Sequence, residues 1–205
     1  MNELKLPEGE TAAYIFDCDG TLADTMPLHY RAWKYAFEKN GAKFDFTWEL
    51  FYSMAGVGMH DTVYQFNERF NDNLDADVVV EDNNDYFSRE HQHVELIHPV
   101  AEIARELKAE GYPLAVASGG DPRHVYGTLK YCGIEDLFEV VVTKADVVNS
   151  KPAPDGFLKA AELLGVDPTK CVVFEDSKLG LQAAEAAGMR WVYIDPETYS
   201  AGAGI

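Results

Sequence analysis

The chain has 205 residues, of which 47% are hydrophobic and 12% aromatic, so it can bury a core of ordinary size. Its 17 basic and 35 acidic side chains give a formal net charge of −18 at pH 7. That charge repels nucleic-acid backbones and anionic membrane surfaces, so neither is an expected partner. An anionic substrate would need a locally positive spot, which a bound metal ion can create.

The cysteine content and the start of the chain indicate in which cellular compartment the protein is expected. Cys18, Cys132 and Cys171 have no metal-binding spacing, and we interpret them as free thiols. The polar, acidic start MNELKLPEGE does not look like a signal peptide, and no apolar run reaches the ~20 residues of a membrane-spanning helix. We therefore expect a cytoplasmic protein, and nothing in the sequence suggests an oligomer, so we expect a monomer.

The first predicted element is a short buried strand over residues 12–17. From residue 26 to about residue 94 no strand pattern occurs, and helical segments follow one another instead. These helices are predicted over residues 27–39, 47–54, 60–70 and 76–94. The sequence therefore predicts an all-helical block directly after the first strand.

After residue 99 the pattern changes to alternating helices and strands. Helices are predicted over residues 100–110, 122–131, 154–164 and 178–187, and strands over residues 113–117, 137–143, 171–174 and 191–194. Apolar strands that alternate with amphipathic helices are typical of a parallel sheet covered on both faces. We predict an α/β fold: a doubly wound, Rossmann-like core formed by residues 1–25 and 95–205, with an inserted helical domain over residues 26–94.

Polar residues follow four of the predicted strands, at the edge of the sheet where such folds bind ligands. In chain order they are Asp17 and Asp19, then Ser118, Gly119 and Gly120, then Lys151, and finally Glu175, Asp176 and Ser177. Taken singly, an Asp there is most often a turn former or helix cap, and a loop lysine is often only solvated. Their shared position at one sheet edge favours a functional site.

This set of side chains fits phosphoryl chemistry. Carboxylates from two strands make an all-oxygen site that suits Mg²⁺. The metal and Lys151 together could offset the charge of a phosphoryl group. One carboxylate could then attack phosphorus while a second, two residues further on, transfers protons.

Four stretches of the chain resemble the motifs of the haloacid dehalogenase-like hydrolase superfamily. They are FDCDGTLAD, AVASGG, SKPAPD and VVFEDSKLGLQAA, in that order and spacing. The helical insert resembles the α-helical cap of the β-phosphoglucomutase and sugar-phosphate phosphatase branch, and HYRAW within it matches an HxxAW element of that branch. The stretch that begins at KPAPDG is especially similar to bacterial fructose-1-phosphatase-like members.

The resemblance implies roles for the residues of the core. Asp17 would be the nucleophile and a metal ligand, and Asp19 the general acid and base, with its backbone carbonyl on the metal. Ser118 and the amides after it, beginning at Gly119, would hold the phosphoryl oxygens, and Lys151 would neutralise them. The remaining metal ligands would be Asp176 and, directly or through water, Glu175.

In the cap, the resemblance implies substrate contacts from His29 and from the loop over residues 55–59. The loop candidates are Gly56, Val57 and Met59, whereas we expect Trp33 to belong to the cap core rather than to contact the substrate. True β-phosphoglucomutases carry an arginine at the place of Met59, and that arginine binds the second phosphate of the substrate. Methionine has no charge with which to bind a phosphate, so its presence favours a hydrolase over a mutase.

The sequence thus predicts a Mg²⁺-dependent phosphatase that hydrolyses a small phosphorylated metabolite, with a sugar phosphate as the expected class, through an aspartyl-phosphate. The first alternative is a sugar-phosphate mutase on the same fold. A signalling receiver module also carries an acid cluster and a lysine on a parallel sheet, but such modules are compact and have no large helical insert. A binding protein without activity is a further alternative, although no motif residue is missing.

Overall fold

A computed structural model describes residues 4–54 and 57–199 of the chain. The backbone contacts divide it into two compact units. The first unit holds the chain up to Asp24 and again from Val94 onward, and the second unit is Thr25–His93. The two units differ in architecture, because the first is built around a sheet and the second is built from helices.

Within the described residues, the first unit contains a sheet of five parallel strands. They are β1 (Ala13–Phe16), β2 (Leu114–Ala117), β3 (Val140–Val142), β4 (Cys171–Glu175) and β5 (Arg190–Tyr193). Their order in the sheet is β3-β2-β1-β4-β5, with every pair parallel. After β1 the chain builds one side of the sheet and then crosses to the other, which leaves a switch point at the carboxyl end of β1.

The helices of the described residues fall into two groups. The first four lie in the long connection after β1 and form the second unit, and the others alternate with the later strands of the first unit. In chain order they are α1 (Met26–Lys39), α2 (Trp48–Ser53), α3 (Met59–Phe70), α4 (Ala76–Glu90), α5 (His98–Ala109), α6 (Pro122–Tyr131), α7 (Asp155–Leu164), α8 (Lys178–Ala186) and α9 (Pro196–Tyr199). Among the described residues, no helix is both long and apolar enough to cross a bilayer.

Both faces of the sheet are buried, because successive side chains of a strand point to opposite faces. In β1, Tyr14 and Phe16 face the core that contains residues of α5 and α6. Ala13 and Ile15 face the second core, which contains residues of α7 and α8. This arrangement confirms the predicted doubly wound sheet, and it explains why β1 reads as an uninterrupted apolar run.

The second unit is a helical body with an aromatic core. Helix α1 packs mainly on α4, and α4 also packs on α3. Phe37 lies at the centre of the core, where its ring contacts the rings of Phe44, Phe46 and Phe66 at centroid distances of 5.0–5.6 Å. Such contacts supply the apolar burial that a small helical unit needs for its stability.

Two predicted elements are shorter than expected. The helix predicted over residues 76–94 ends at Glu90, since the chain tightens there into a 3₁₀ turn that holds the buried His91 ring 4.7 Å from Phe87. The strand predicted over residues 137–143 spans only Val140–Val142, because Leu137 still belongs to a second 3₁₀ turn, Glu135–Leu137, and the strand begins three residues later. Helix α9 was not predicted at all.

Candidate active site

Asp17 and Asp19 lie just beyond the carboxyl end of β1. The backbone N–H of Asp17 still donates to Phe174 O of β4, at 2.9 Å, so this residue extends the sheet by one position. The chain then turns sharply, and the amides of Leu22 and Ala23 both donate to the carbonyl of Cys18. The turn passes through Gly20 at φ +84°, a backbone conformation that glycine adopts without strain.

Lys151 contacts two of the carboxylates directly. Its ammonium donates to Asp17 Oδ1 at 2.5 Å and to Glu175 Oε1 at 2.7 Å. The same ammonium lies 5.1 Å from the ring centroid of the buried Phe157. Burial lowers the pKa of Lys151, but the two carboxylates outweigh it and raise this pKa above its ordinary value. The side chain is therefore held as a cation.

Glu175 is shared between Lys151 and the start of α8. Its carboxylate accepts from the backbone N–H of Ser177 at 2.5 Å and from the Ser177 hydroxyl at 3.2 Å. The residue is 1% exposed, and it packs so closely on Gly180 that a methyl group there would overlap its carboxylate. The role of Glu175 as a metal ligand stays a prediction, and the structure shows that its carboxylate accepts a hydrogen bond from Lys151.

Asp176 is oriented by a residue that the sequence analysis missed. The Thr21 hydroxyl, fully buried, donates to Asp176 Oδ1 at 3.0 Å. Burial and the neighbouring carboxylate of Glu175 raise the pKa of Asp176 to about 7. Thr21 belongs to the first motif, FDCDGTLAD, and its place directly after Gly20 was the signal that could have identified it.

Ser118 lies at the carboxyl end of β2 and links that strand to the Asp19 turn. Its backbone N–H donates to Val142 O at 2.9 Å, and its hydroxyl donates to Asp19 Oδ2 at 3.4 Å. The hydroxyl accepts in turn from the N–H of Gly120 at 3.0 Å. Gly119, between them, is exposed.

Carboxylate oxygens of Asp17, Glu175 and Asp176 all lie within 4.8 Å of one another. Burial and the neighbouring carboxylates raise the pKa of Asp17 well above its ordinary value, although Lys151 opposes the shift. One ammonium offsets only part of the negative charge that these groups carry when ionised. The residues present therefore fit a small divalent cation, since hard cations of this kind prefer oxygen ligands.

The structure thus brings together the predicted residues of the first unit. Those contributed by β1, β2, β4 and the loop after β3 meet at one edge of the sheet, through the contacts of Lys151, Thr21 and Ser118. The roles that the resemblance implies for them remain predictions.

The predicted substrate-binding residues of the insert lie in the second unit. His29, Val57 and Met59 line a cavity of about 260 Å³, and all of its lining residues that the structure describes belong to this unit. Trp33, expected in the cap core, lies in the aromatic core of the unit and also lines this cavity. The imidazole of His29 stacks on the buried ring of Phe87, with centroids 4.4 Å apart. The remaining candidate, Gly56, lies outside the described residues.

Comparisons with known proteins agree with this geometry. A family model described as haloacid dehalogenase-like hydrolase matches residues 14–194. The chain is 33% identical to the fructose-1-phosphate phosphatase of Escherichia coli strain K12, over 87% of this chain and 93% of the relative. It is 27% identical to the beta-phosphoglucomutase of Bacillus subtilis strain 168, over 86% and 80%.

A solved structure shares the same fold. The crystal structure of CbbY from Rhodobacter sphaeroides in complex with phosphate superposes with a TM-score of 0.77 at 28% identity. The match covers 88% of this chain and 84% of that one.

Proposed function

The chain belongs to the haloacid dehalogenase-like hydrolase family, and we propose that it is a Mg²⁺-dependent phosphatase acting through an aspartyl-phosphate. Its substrate is a small phosphate ester, and the name of the Escherichia coli relative favours a sugar phosphate. The observation that carries the proposal is the contact of Lys151 with both Asp17 and Glu175, directly beside Asp176. A candidate nucleophile, a cation and a candidate metal site therefore meet at one point.

In the first step, the Asp17 carboxylate attacks the phosphorus of the ester. A bond forms between Asp17 and phosphorus while the bond from phosphorus to the leaving oxygen breaks. Asp19, two residues further on in the same turn, gives its proton to the leaving oxygen, and the alcohol departs neutral.

In the second step, water releases the phosphate. Asp19, now ionised, removes a proton from the water while the oxygen of that water attacks phosphorus. The bond between phosphorus and Asp17 breaks, which restores the Asp17 carboxylate and liberates inorganic phosphate. Asp19 ends the cycle protonated, as it began.

Other groups of the first unit stabilise the phosphoryl charge. Lys151 offsets the charge of the phosphoryl oxygens, and the Ser118 hydroxyl and the amide of Gly119 donate to them. Mg²⁺ held by Asp17, Asp176 and the Asp19 backbone carbonyl, with Glu175 beside it, would supply further positive charge there.

The second unit supplies substrate recognition in this proposal. His29, Val57 and Met59, which line its cavity, contact the organic part of the substrate. Gly56 belongs to the same loop and is proposed with them. We further propose that the protein is a cytoplasmic monomer whose partner is a small-molecule phosphate ester.

A mutase is the second candidate, because the Bacillus subtilis relative is named a beta-phosphoglucomutase. The uncharged Met59, at the place where the mutases carry an arginine, favours the phosphatase. A mutase would require a sugar bisphosphate for turnover and would return an isomerised sugar phosphate without free phosphate.

The test is the release of inorganic phosphate from a panel of sugar phosphates, nucleotides and pyrophosphate, with Mg²⁺ and with a chelator. The proposal expects Mg²⁺-dependent release from small phosphate esters, lost in Asp17→Asn. Isomerised product without free phosphate, in the presence of a bisphosphate, would establish the mutase instead.

A further inference from the structure

Lys151 lies in a loop that gains little from the core of the first unit. The loop runs from residue 147 to residue 154, up to the start of α7. Val148 is 94% exposed, and Asn149 and Ser150 are exposed as well. Apolar burial therefore contributes little to the conformation of this loop, and its hydrogen bonds matter more for the place of Lys151.

Asp155, the first residue of α7, closes this loop on itself. Its Oδ2 accepts hydrogen bonds from the backbone N–H of Asn149 at 3.2 Å and from the side-chain amide of the same residue at 3.0 Å. Within the closed segment, the N–H of Ala153 donates to the carbonyl of Ser150 at 3.0 Å. Lys151 lies between the two bonded residues in the chain, so the closure restricts the backbone from which its side chain extends.

Helix α7 gives this closure a fixed base. Phe157, Ala160 and Ala161 are at most 1% exposed and belong to the core on one face of the sheet. The ring centroid of Phe157 also lies 5.1 Å from the Lys151 ammonium, within the range of a cation–π attraction. The first turn of α7 therefore holds the loop through Asp155 and contacts the lysine through Phe157.

We propose that Asp155 is a positioning residue for Lys151. By holding Asn149, it keeps the loop in the conformation in which the lysine ammonium reaches both Asp17 and Glu175. The inference rests on the proposed function, in which Lys151 offsets the phosphoryl charge. A carboxylate in the first turn of a helix also stabilises that helix. The experiment therefore follows Lys151 itself.

Trace acetylation by acetic anhydride, with the rate at each lysine measured by peptide mass spectrometry, reports on this placement. An amine reacts only in its neutral form, and Lys151 is held as a cation while it contacts the two carboxylates. Asp155→Ala should raise the rate at Lys151 by about fivefold relative to the exposed Lys130, because both hydrogen bonds that close the loop are lost. Asn149→Ala, which keeps the backbone donor, should raise it by about twofold.

Two control variants separate this effect from a general one. Asp155→Asn keeps an acceptor oxygen at the same place, and Glu162→Ala removes an exposed carboxylate from the other end of α7. Both should leave the rate at Lys151 as it is in the parent protein. No rise in Asp155→Ala, or an equal rise in Glu162→Ala, would overturn the inference. If Asp155→Ala does not fold, Asn149→Ala, a change at an exposed loop residue, decides in its place.

Turnover measures whether Asp155 acts through Lys151. Asp155→Ala should lower kcat/KM by about fivefold in the parent protein and leave it unchanged in the Lys151→Met background, since no ammonium remains there to be positioned. An equal loss in both backgrounds would show a structural role and overturn the inference. If no ester releases phosphate but the acetylation pattern holds, the proposed function fails and the positioning of Lys151 by Asp155 stands.

Discussion

The Lys151 ammonium donates to the Glu175 carboxylate at 2.7 Å, and this contact joins the loop after β3 to the end of β4. Glu175 is also fixed by two hydrogen bonds from Ser177 at the start of α8. The lysine is therefore held by an acceptor that is itself immobile, so its charge is placed before any substrate arrives. Such preorganisation costs no rearrangement at the moment of reaction.

Lys151→Met should lower kcat/KM by a factor of about 100 or more, because the charge of the phosphoryl group loses its fixed partner. Lys159→Met is the matched control, since Lys159 is a partly exposed lysine of α7 whose ammonium pairs with Glu162 of the same helix at 3.0 Å. Steady-state phosphate release measures both variants. Similar losses in the two would indicate that the effect is general destabilisation.

Asp17→Asn and Asp19→Asn should both abolish turnover, but at different steps. The first removes the attacking carboxylate, whereas the second takes away the proton for the leaving oxygen. Acid quenching with a radiolabelled substrate measures the covalent phosphoenzyme. Trapping phosphoenzyme in Asp17→Asn would show that another residue is the nucleophile.

Asp176→Ala should weaken Mg²⁺ binding at least tenfold while changing the melting temperature little. The carboxylate lies in the cluster with Asp17 and Glu175, and it accepts a hydrogen bond from the Thr21 hydroxyl. Calorimetric Mg²⁺ titration and thermal unfolding, with Asp136→Ala as an exposed control, separate the two effects. A collapse in melting temperature with unchanged metal affinity would make Asp176 a structural residue.

Gly180→Ala should destabilise the fold by about 2 kcal/mol, within the range that overpacking of a core costs. The added methyl group overlaps the Glu175 carboxylate, which cannot move without breaking its bonds to Lys151 and Ser177. Gly156→Ala in α7 is the control, since a methyl group there meets nothing within 4 Å. Urea unfolding of both variants compares the costs, and equal values would contradict the close packing at Gly180.

Asp82 makes a pH-dependent contribution to the stability of the second unit. It accepts from Lys39 at 2.6 Å and from Asn40 at 2.9 Å, and the bond from Lys39 is the main cause that lowers its pKa. A lowered pKa in the folded state stabilises the fold above the unfolded pKa of ~3.9, and this stabilisation is lost as the pH falls through the folded value.

Asp82→Asn should therefore reduce the melting temperature at pH 7, and the difference from the parent protein should shrink as the pH falls below 4. Asp85→Asn, an exposed change on the same helix, controls for the loss of one negative charge. Thermal unfolding between pH 3 and 7 checks the prediction. A difference that is constant across this range would mean that the ionisation of Asp82 does not contribute.

The sequence by itself determined the class of fold and the family. The apolar run of β1 and the alternation after Pro99 predicted the doubly wound sheet, because residue periodicity is a local property of strands and helices. The four ordered motifs predicted the family that the comparisons confirm. Boundaries were less predictable at two places. The predicted helix stops at Glu90, where a 3₁₀ turn follows, and the predicted strand begins only at Val140, after a 3₁₀ turn that ends at Leu137.

Only the tertiary structure decided how the side chains at the sheet edge pair with one another. Lys151 and Asp17 lie 134 positions apart in the chain, and Thr21 and Asp176 lie 155 apart. No local pattern encodes such contacts, because they depend on the strand order that places β1 between β2 and β4. The apolar cavity of the second unit likewise arises from side chains of separate helices, which acquire a shared surface only when those helices pack together.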